Sequence, residues 1–462
     1  MITSERAARQ DLAARLRGTV TGPEDPGYDA GRAAWNLVVD QHPAVIVRAA
    51  DADDVAAAVR WAAAREFGVA IQATGHGVAR PADDTMLLLT GDMGEVQVDA
   101  LSATARIEAG AKWEAVLGKA APEGLAPLLG SSPDVGAVGY TLGGGLGWLA
   151  RKHGLAADSV RSFEVVTGDG TRVRASAAEN PDLFWGLRGG GAGSLGVVTA
   201  MEIDLFRVNQ VYGGNLFYPA SDAAAVAARY AEWIADAPDD LTSSLVLMNL
   251  PPLEMVPEPL RGRSFAIVRG CHAGTPEDAA AQLAFWRAWK QPEFDLFGPM
   301  PFSAVATISN DPLDPTPAIS STDWLQRLDG EVIDALIAHA FPSGTPPPLT
   351  FVEVRHVGGA VARRGRQAAA YGNRDATLLL EAIGITPNAD VAAAVARQAA
   401  SLRAAVAPHR TGGAYLNFLE GEERARRTRE GFAPGDYRRL QELKRRWDPQ
   451  NLFRYGIDLT GD

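Results

Sequence analysis

The residues best suited to chemistry stand in a few short segments. His76 occupies the turn Thr74-Gly75-His76-Gly77, at the end of an apolar strand expected over residues 69–73. Its glycine neighbours carry no side chain to shield it, so the imidazole is open to whatever lies above the sheet edge. It is either an ordinary hydrogen-bonding group of a turn or a ligand contact. The other six histidines, at 42, 153, 272, 339, 356 and 409, show no HxH or HxxxH spacing, so no metal site is expected. Residues 349–357 (LTFVEVRHV) read as a strand, and alternation puts Phe351, Glu353, Arg355 and Val357 on one face. Glu353 and Arg355 are then either a salt bridge on a solvent face or part of a pocket. In a pocket, desolvation would raise the pKa of Glu353 and suit it to act as a base or hydrogen-bonding group. The same alternation over a short strand expected at 414–418 pairs Tyr415 with Asn417, which either reach a ligand or lie in the core. No GxSxG, Cys–His pair or P-loop lysine pattern occurs, which argues against a serine or cysteine hydrolase and a nucleoside triphosphatase.

Residues 130–154 (GSSPDVGAVGYTLGGGLGWLARKHG) contain eight glycines in 25 positions, interleaved with large apolar side chains such as Tyr140, Leu146 and Trp148. Such a stretch reads as a packed loop whose backbone N–H groups approach a large anion closely. Gly191-Ala192-Gly193-Ser194-Leu195-Gly196 satisfies GxGxxG, but it precedes the β-branched run 197–205. A dinucleotide fingerprint of the Rossmann type must follow a strand and open a helix, so that fold is rejected and the glycines are kept as ligand contacts.

The elements that position these residues form an α+β chain. A first βαβ unit runs from 44 to 73, with Asp53 placed to cap the helix 54–65, and antiparallel ribbons follow over 86–109 and 162–176. Helices are expected at 112–120, 222–235, 276–290, 322–338, 389–405 and 436–447, and strands at 242–250, 264–271 and 377–383. Residues 291–321 have little periodicity and read as a surface wrap, and the arginines of 424–429 and the basic cluster 444–446 as solvated helix faces. At 462 residues the chain has room for two to four domains. Its net charge of −12 argues against nucleic acid or an anionic membrane as a partner. No apolar run is long enough to span a bilayer, and the first 18 residues lack the apolar core of a secretory signal. With Cys271 as the single cysteine, no internal disulfide can form, and a cytoplasmic protein is expected.

Five spaced segments carry a family resemblance: TGHG (74–77), PDVGAVGYTLGGGLG (133–147), DLFWGLRGGGAGSLGVVT (182–199), YLNF (415–418) and KRRWDPQNLF (444–453). The chain resembles FAD-linked oxidases of the berberine bridge enzyme-like branch of the vanillyl-alcohol oxidase superfamily. Its nearest resemblance is to bacterial polyketide-tailoring members such as the enterocin-pathway flavoprotein EncM. The resemblance implies a two-domain PCMH-type FAD-binding fold: 1–205 binding FAD, 206–408 forming a substrate domain on an antiparallel sheet, and 409–462 returning to the FAD domain. FAD would be held by Thr74, Gly75, His76, Gly77 and Val78, with His76 bonded to the flavin 8α carbon. Further contacts would come from Ser131, Ser132, Val135, Gly136, Gly139 and Tyr140, from Gly143, Gly144, Gly145 and Gly147, and from Gly196, Val198, Tyr415 and Asn417.

Three positions depart from the family pattern. Ser132 stands where many relatives attach the flavin a second time through cysteine, so a monocovalent, weaker oxidising flavin is expected. Phe418 replaces a tyrosine that acts as base in many relatives, which leaves Glu353 as the expected base, with Tyr140, Tyr415 and Asn417 in support. Ser194-Leu195 replaces Asn-Phe, a change in packing. The implied activity is oxidation or oxygenation of a small polyketide or phenol-like metabolite, with hydride transfer to flavin N5 and reaction with dioxygen. A dehydrogenase, a carbohydrate or alcohol oxidase, and a silent flavin-binding protein are the alternatives. Small-molecule substrate and dioxygen are the expected partners, without nucleic acid or membrane, for a monomer or homodimer.

Overall fold

Short runs of branched residues build the first sheet. In the computed structural model, which describes residues 2–461 apart from 255, 345 and 366–367, Val45–Arg48, Met86–Leu89 and Val69–Gln72 lie parallel with Met86–Leu89 in the middle. Thr19–Thr21 pairs antiparallel on the outer edge. Parallel strands covered on both faces need near-continuous apolar sequence, and VIVR, MLLL and VAIQ supply it. The helix Ala52–Ala63 crosses between the strands Val45–Arg48 and Val69–Gln72. Its cap is Asp51, which accepts the N–H groups of Asp53 and Asp54. Asp53 therefore lies in the first turn and not at the cap. Buried Asp54 instead accepts N–H groups from Arg17, Gly18 and Ala50.

The second sheet has five antiparallel strands in the order Val96–Asp99, Thr104–Glu108, Val197–Asp204, Val160–Val166 and Arg172–Ser176. Residues 191–196 follow the helix Pro181–Gly190 and lead into the strand Val197–Asp204, the reverse of the strand-to-helix order of a Rossmann fingerprint.

The third sheet has eight antiparallel strands. Its spatial path runs Phe294–Asp295, Gln210–Pro219, Ser264–His272, Leu241–Asn249, Phe351–His356, Leu378–Ile385 and Ala318–Leu325, and Gly298–Pro301 pairs with Gln210–Pro219. The helices Ala223–Ala235, Gly330–Ala340 and Ala389–Ala405 supply Tyr230, Val332, Leu336 and Leu402 to the apolar core on this sheet. Two expectations are corrected here. The helix read over 322–338 begins at Gly330, capped by Asp329, because Ala318–Leu325 pairs along its full length with Leu378–Ile385. Residues 291–321 are no plain wrap, since they hold the two edge strands and the 3-10 helix Phe302–Ile308.

Past Ala405 the chain returns to the first two sheets. Leu416, Leu419, Phe432 and Leu440 join the core of the five-stranded sheet, and Leu452 and Phe453 that of the parallel one. The arginines and lysine of this segment are not all solvated: Arg424, Arg427 and Lys444 are buried. Lys444 donates to Asp448 and to the carbonyls of Ser194 and Phe453, at 2.6, 3.0 and 2.9 Å. Arg427 helps to clamp Asp323, which is fully buried among Arg403, Arg410 and Arg427 at 2.9, 2.6 and 2.8 Å. Among the described residues, no helix is long and apolar enough to cross a membrane.

Removing the carboxylate from this clamp strands buried Arg427 beside two partly exposed arginines. Asp323→Ala is expected to lower the unfolding free energy by roughly 3–5 kcal/mol, measured by urea denaturation, whereas loss of an exposed pair such as Arg15–Asp11 should change it by under about 1 kcal/mol.

Candidate active site

One large cavity opens between the glycine-rich wall of the first two sheets and the third sheet. It encloses about 2040 Å³ of space between atoms, its open mouth included. The cavity proper, about 370 Å³, lies within the roughly 300–1,000 Å³ of small-ligand pockets. One wall is Thr74, Gly75, His76, Gly77 and Val78, continued by Ser131, Ser132, Val135, Gly136 and Gly139 and by Tyr140, Gly196 and Val198. The facing wall comes from Phe351, Arg355 and Glu381 on the third sheet and from Asn417, Phe418 and Glu420 on the returning segment.

His76 is held from several sides. The segment after Ala34 crosses the turn, with Trp35 N–H on the Thr74 carbonyl at 3.2 Å. A side chain on Gly75 would come 2.7 Å from Trp35 N, and its φ is +81°, so the turn requires glycine. The Trp35 ring stacks on the imidazole at 4.2 Å and 15°. Nδ1 lies 2.8 Å from Thr74 Oγ1. Nε2 has no hydrogen-bond partner and lies 3.7 Å from a carboxylate oxygen of Asp134, which also pairs with Lys112. Burial pushes the imidazole down to about 4, against the pull of Asp134, so it is neutral at ordinary pH.

The glycines at 143, 144, 145 and 147 do not line the cavity. Added Cβ atoms there would meet Asn417 Oδ1 at 1.8 Å, the Tyr371 ring at 2.5 Å, the Tyr140 ring at 2.5 Å and the Leu129 carbonyl at 1.8 Å, respectively. These four pack closely against protein. Tyr415 is likewise withdrawn, fully buried, with its hydroxyl accepting from Leu146 N–H at 2.9 Å and from Asn417 Nδ2 at 3.2 Å. Residues 414–418 are no strand: Leu416–Phe418 is a 3-10 turn, so Asn417 and Phe418 both reach the cavity. Asn417 also donates to the Tyr140 carbonyl at 3.0 Å. The buried Tyr140 hydroxyl has no partner, and burial raises its pKa well above the usual value.

A second correction concerns Glu353. It is 1% exposed and is not part of the cavity lining. Arg355 Nε donates to it at 2.8 Å, and Arg269 stands 4.0 Å away. Burial alone would raise its pKa, but Arg355 and Arg269 hold the carboxyl below its usual range, opposite to the rise expected of a base. On this sheet the carboxyl that faces the cavity is Glu381, directly across the ladder from Glu353 on the neighbouring strand; Glu420 and Asp311 also line the cavity. Burial pushes it up to about 8, opposed by Arg355 and helped by Glu353 and Asp311. Glu420, accepting the Ser320 N–H at 3.1 Å, is pushed by burial up to about 7. Sequence reasoning missed Glu381, Glu420, Asp134 and the role of Trp35. Only Glu381 left a signal, as the single charge in the apolar run LLLEAIGI.

Two segments match known family models: residues 43–176 match an FAD binding domain, and residues 414–456 match "Berberine and berberine like". The chain is 28% identical over 463 residues to (R)-6-hydroxynicotine oxidase of Paenarthrobacter nicotinovorans, covering 96% of this chain and 98% of the relative. It is 35% identical over 226 residues to the FAD-dependent monooxygenase FUP4 of Fusarium proliferatum, covering 47% of this chain and 43% of the relative. The crystal structure of 6-hydroxy-D-nicotine oxidase from Arthrobacter nicotinovorans superposes with a TM-score of 0.84 at 24% identity, over 97% of this chain and 98% of that one. The fold is that of PCMH-type FAD-binding proteins.

Breaking the buried Glu353–Arg355 pair should cost stability first. Glu353→Ala is expected to lower the unfolding free energy by roughly 3–5 kcal/mol, read by chemical denaturation.

Proposed function

We propose that this chain, whose matched segments and relatives support the berberine bridge enzyme-like FAD-linked oxidoreductases, is an oxidase or oxygenase of a small polyketide or phenol-like metabolite. The single observation that carries the reading is the cavity itself, with the His76 turn on one wall and a buried carboxyl of raised pKa on the other. The residues present fit FAD. The buried Tyr140 hydroxyl lacks a partner, and the wall of backbone and small side chains at 74–78 and 131–139 leaves room for a bulky flat group. These two segments, with Gly196 and Val198, would hold the cofactor, and His76 would bond to it. Bound FAD supplies a hydride acceptor at N5 whose electrons dioxygen can remove.

The chain's own residues then handle the proton and the geometry. Phe418 has no group to take a proton, and Glu353 is committed to two arginines. Glu381 faces the cavity and accepts a proton from the substrate hydroxyl or C–H group as hydride leaves. Arg355 touches both Glu353 and Glu381, at 2.8 and 3.4 Å, and offsets the negative charge that forms on Glu381. Its guanidinium also covers the Phe418 ring at 4.7 Å. Asn417, fixed by Tyr140 and Tyr415, presents its amide to the cavity. The FUP4 name, that of a monooxygenase, supports an oxygenase outcome, and the (R)-6-hydroxynicotine oxidase name supports an oxidase. Anaerobic mixing with phenol or polyketide panels should bleach the flavin, and air should restore it; no bleaching with any of them would overturn the substrate class.

Two further outcomes are expected. Acid-precipitated protein should stay yellow, and His76→Ala should move the colour to the supernatant. Because a base works only when ionised, kcat/KM should rise with pH to a plateau above about 8. Glu381→Gln should remove that rise and slow flavin reduction by about 10²–10⁴-fold, while leaving flavin content unchanged, as read by stopped-flow absorbance.

A further inference from the structure

Behind His76 stands a group that the proposed oxidation does not use. Asp134 is 8% exposed and does not line the cavity. The segment carrying it is fixed by backbone bonds from Trp113 to Val135, Glu114 to Pro133 and Ala137 to Ala111, at 3.1, 2.8 and 2.9 Å. One carboxylate oxygen pairs with Lys112. The other is 3.7 Å from His76 Nε2, a buried nitrogen with no hydrogen-bond partner. Thr74 Oγ1 occupies the Nδ1 side at 2.8 Å, and Trp35 covers one ring face. A carboxylate beside Nε2 favours the tautomer with its proton there and leaves the lone pair on Nδ1. The Thr74 hydroxyl can donate to that lone pair until it is used.

We propose that Asp134 is the positioning residue for attachment of flavin to His76, holding the proton on Nε2, directing Nδ1 as the nucleophile and receiving the Nε2 proton once the bond has formed. This rests on the covalent reading given above. One N–C bond forms, from Nδ1 to the 8α carbon. One C–H bond of the 8α methyl and the Nε2–H bond are lost. The two electrons and two protons released pass to dioxygen, giving hydrogen peroxide. The carboxylate is suited to this because the ring becomes cationic at the moment the bond forms, and a fixed anion behind it stabilises that charge. Lys112 keeps the second oxygen engaged, so Asp134 cannot swing away.

The test uses full-length protein expressed with limiting riboflavin, then incubated with FAD in air. Covalent flavin is followed by intact mass and by acid-precipitable absorbance, and bound FAD by gel filtration. The wild type should become covalent. Asp134→Asn, which keeps the shape and loses the charge, should bind FAD but attach it at least tenfold more slowly. A merely structural role for Asp134 would lower FAD binding and leave the attachment rate of the bound fraction unchanged. Attachment by D134N at the wild-type rate overturns the proposal. Should D134N bind no FAD, Lys112→Gln carries the test, since it frees the carboxylate without removing it: slower attachment supports the proposal, an unchanged rate overturns it. A wild type without covalent flavin would overturn the covalent reading itself, and His76→Ala would then be indistinguishable from it.

Discussion

Four charges in a row organise the face of the third sheet that looks into the cavity. Glu353 and Arg355 share one strand, Glu381 lies directly across from Glu353 on the next, and Arg269 reaches Glu353 from two strands away on the other side. Two carboxylates at that spacing cannot both be ionised cheaply in a buried place. Arg355 touches both, and Arg269 stands nearer Glu353, 4.0 Å from its carboxylate. The symmetry is therefore broken: the inner carboxyl is held ionised, and the outer one is held near the neutral form. Two glutamates on neighbouring strands thus have opposite chemistry: Arg355 and Arg269 hold Glu353 down, while burial with Glu353, Asp311 and Glu420 pushes Glu381 up.

The glycine-rich wall obeys a different constraint. Its first part, 131–139, and the turn 74–78 border the cavity, but glycines 143, 144, 145 and 147 border protein. A Cβ at 143 or 147 would fall within 2 Å of Asn417 or of the Leu129 carbonyl. The glycines nearest the returning segment thus let that segment close down, which brings Asn417 onto the Tyr140 carbonyl and Tyr415 onto Leu146. Ligand wall and protein–protein contact are continuous in the sequence and separate in space.

This explains what was legible in the sequence and what was not. Apolar runs such as MLLL and alternating ones such as TARIE gave their strands directly. The place of His76 in a glycine-flanked turn at a strand end was also legible, and that turn borders the cavity. Glu353 was placed correctly on its strand, and its charge partner Arg355 too. Its pKa was misread because burial was weighed without its offsets: Arg355 on the same strand, and Arg269 from a segment 84 positions away, hold the carboxyl down. The YLNF segment failed for a related reason. Its four residues suit a strand, but Ser320 and Thr322 bind its backbone, and the 3-10 turn sends Asn417 and Phe418 to the same cavity. Arg424 and Arg427 looked like a solvated helix face because the carbonyl of Gly77 and the carboxylate of Asp323 are distant in sequence.

The replacement at position 418 follows from the same charge row. A guanidinium lies 4.7 Å from the centre of the Phe418 ring, and the ring face is its remaining electrostatic partner on that side. A phenol there would compete for Arg355 as it ionised and draw charge away from Glu381. Its phenolate would be a third anion beside Glu353 and Glu381, raising the cost of ionising the carboxyl that faces the cavity. A hydrocarbon ring keeps Arg355 shared between the two glutamates. Phenylalanine at 418 and the glutamate at 381 are therefore one arrangement: the proposed proton-handling group sits on the sheet, and the turn Leu416–Phe418 beneath it has no group that titrates.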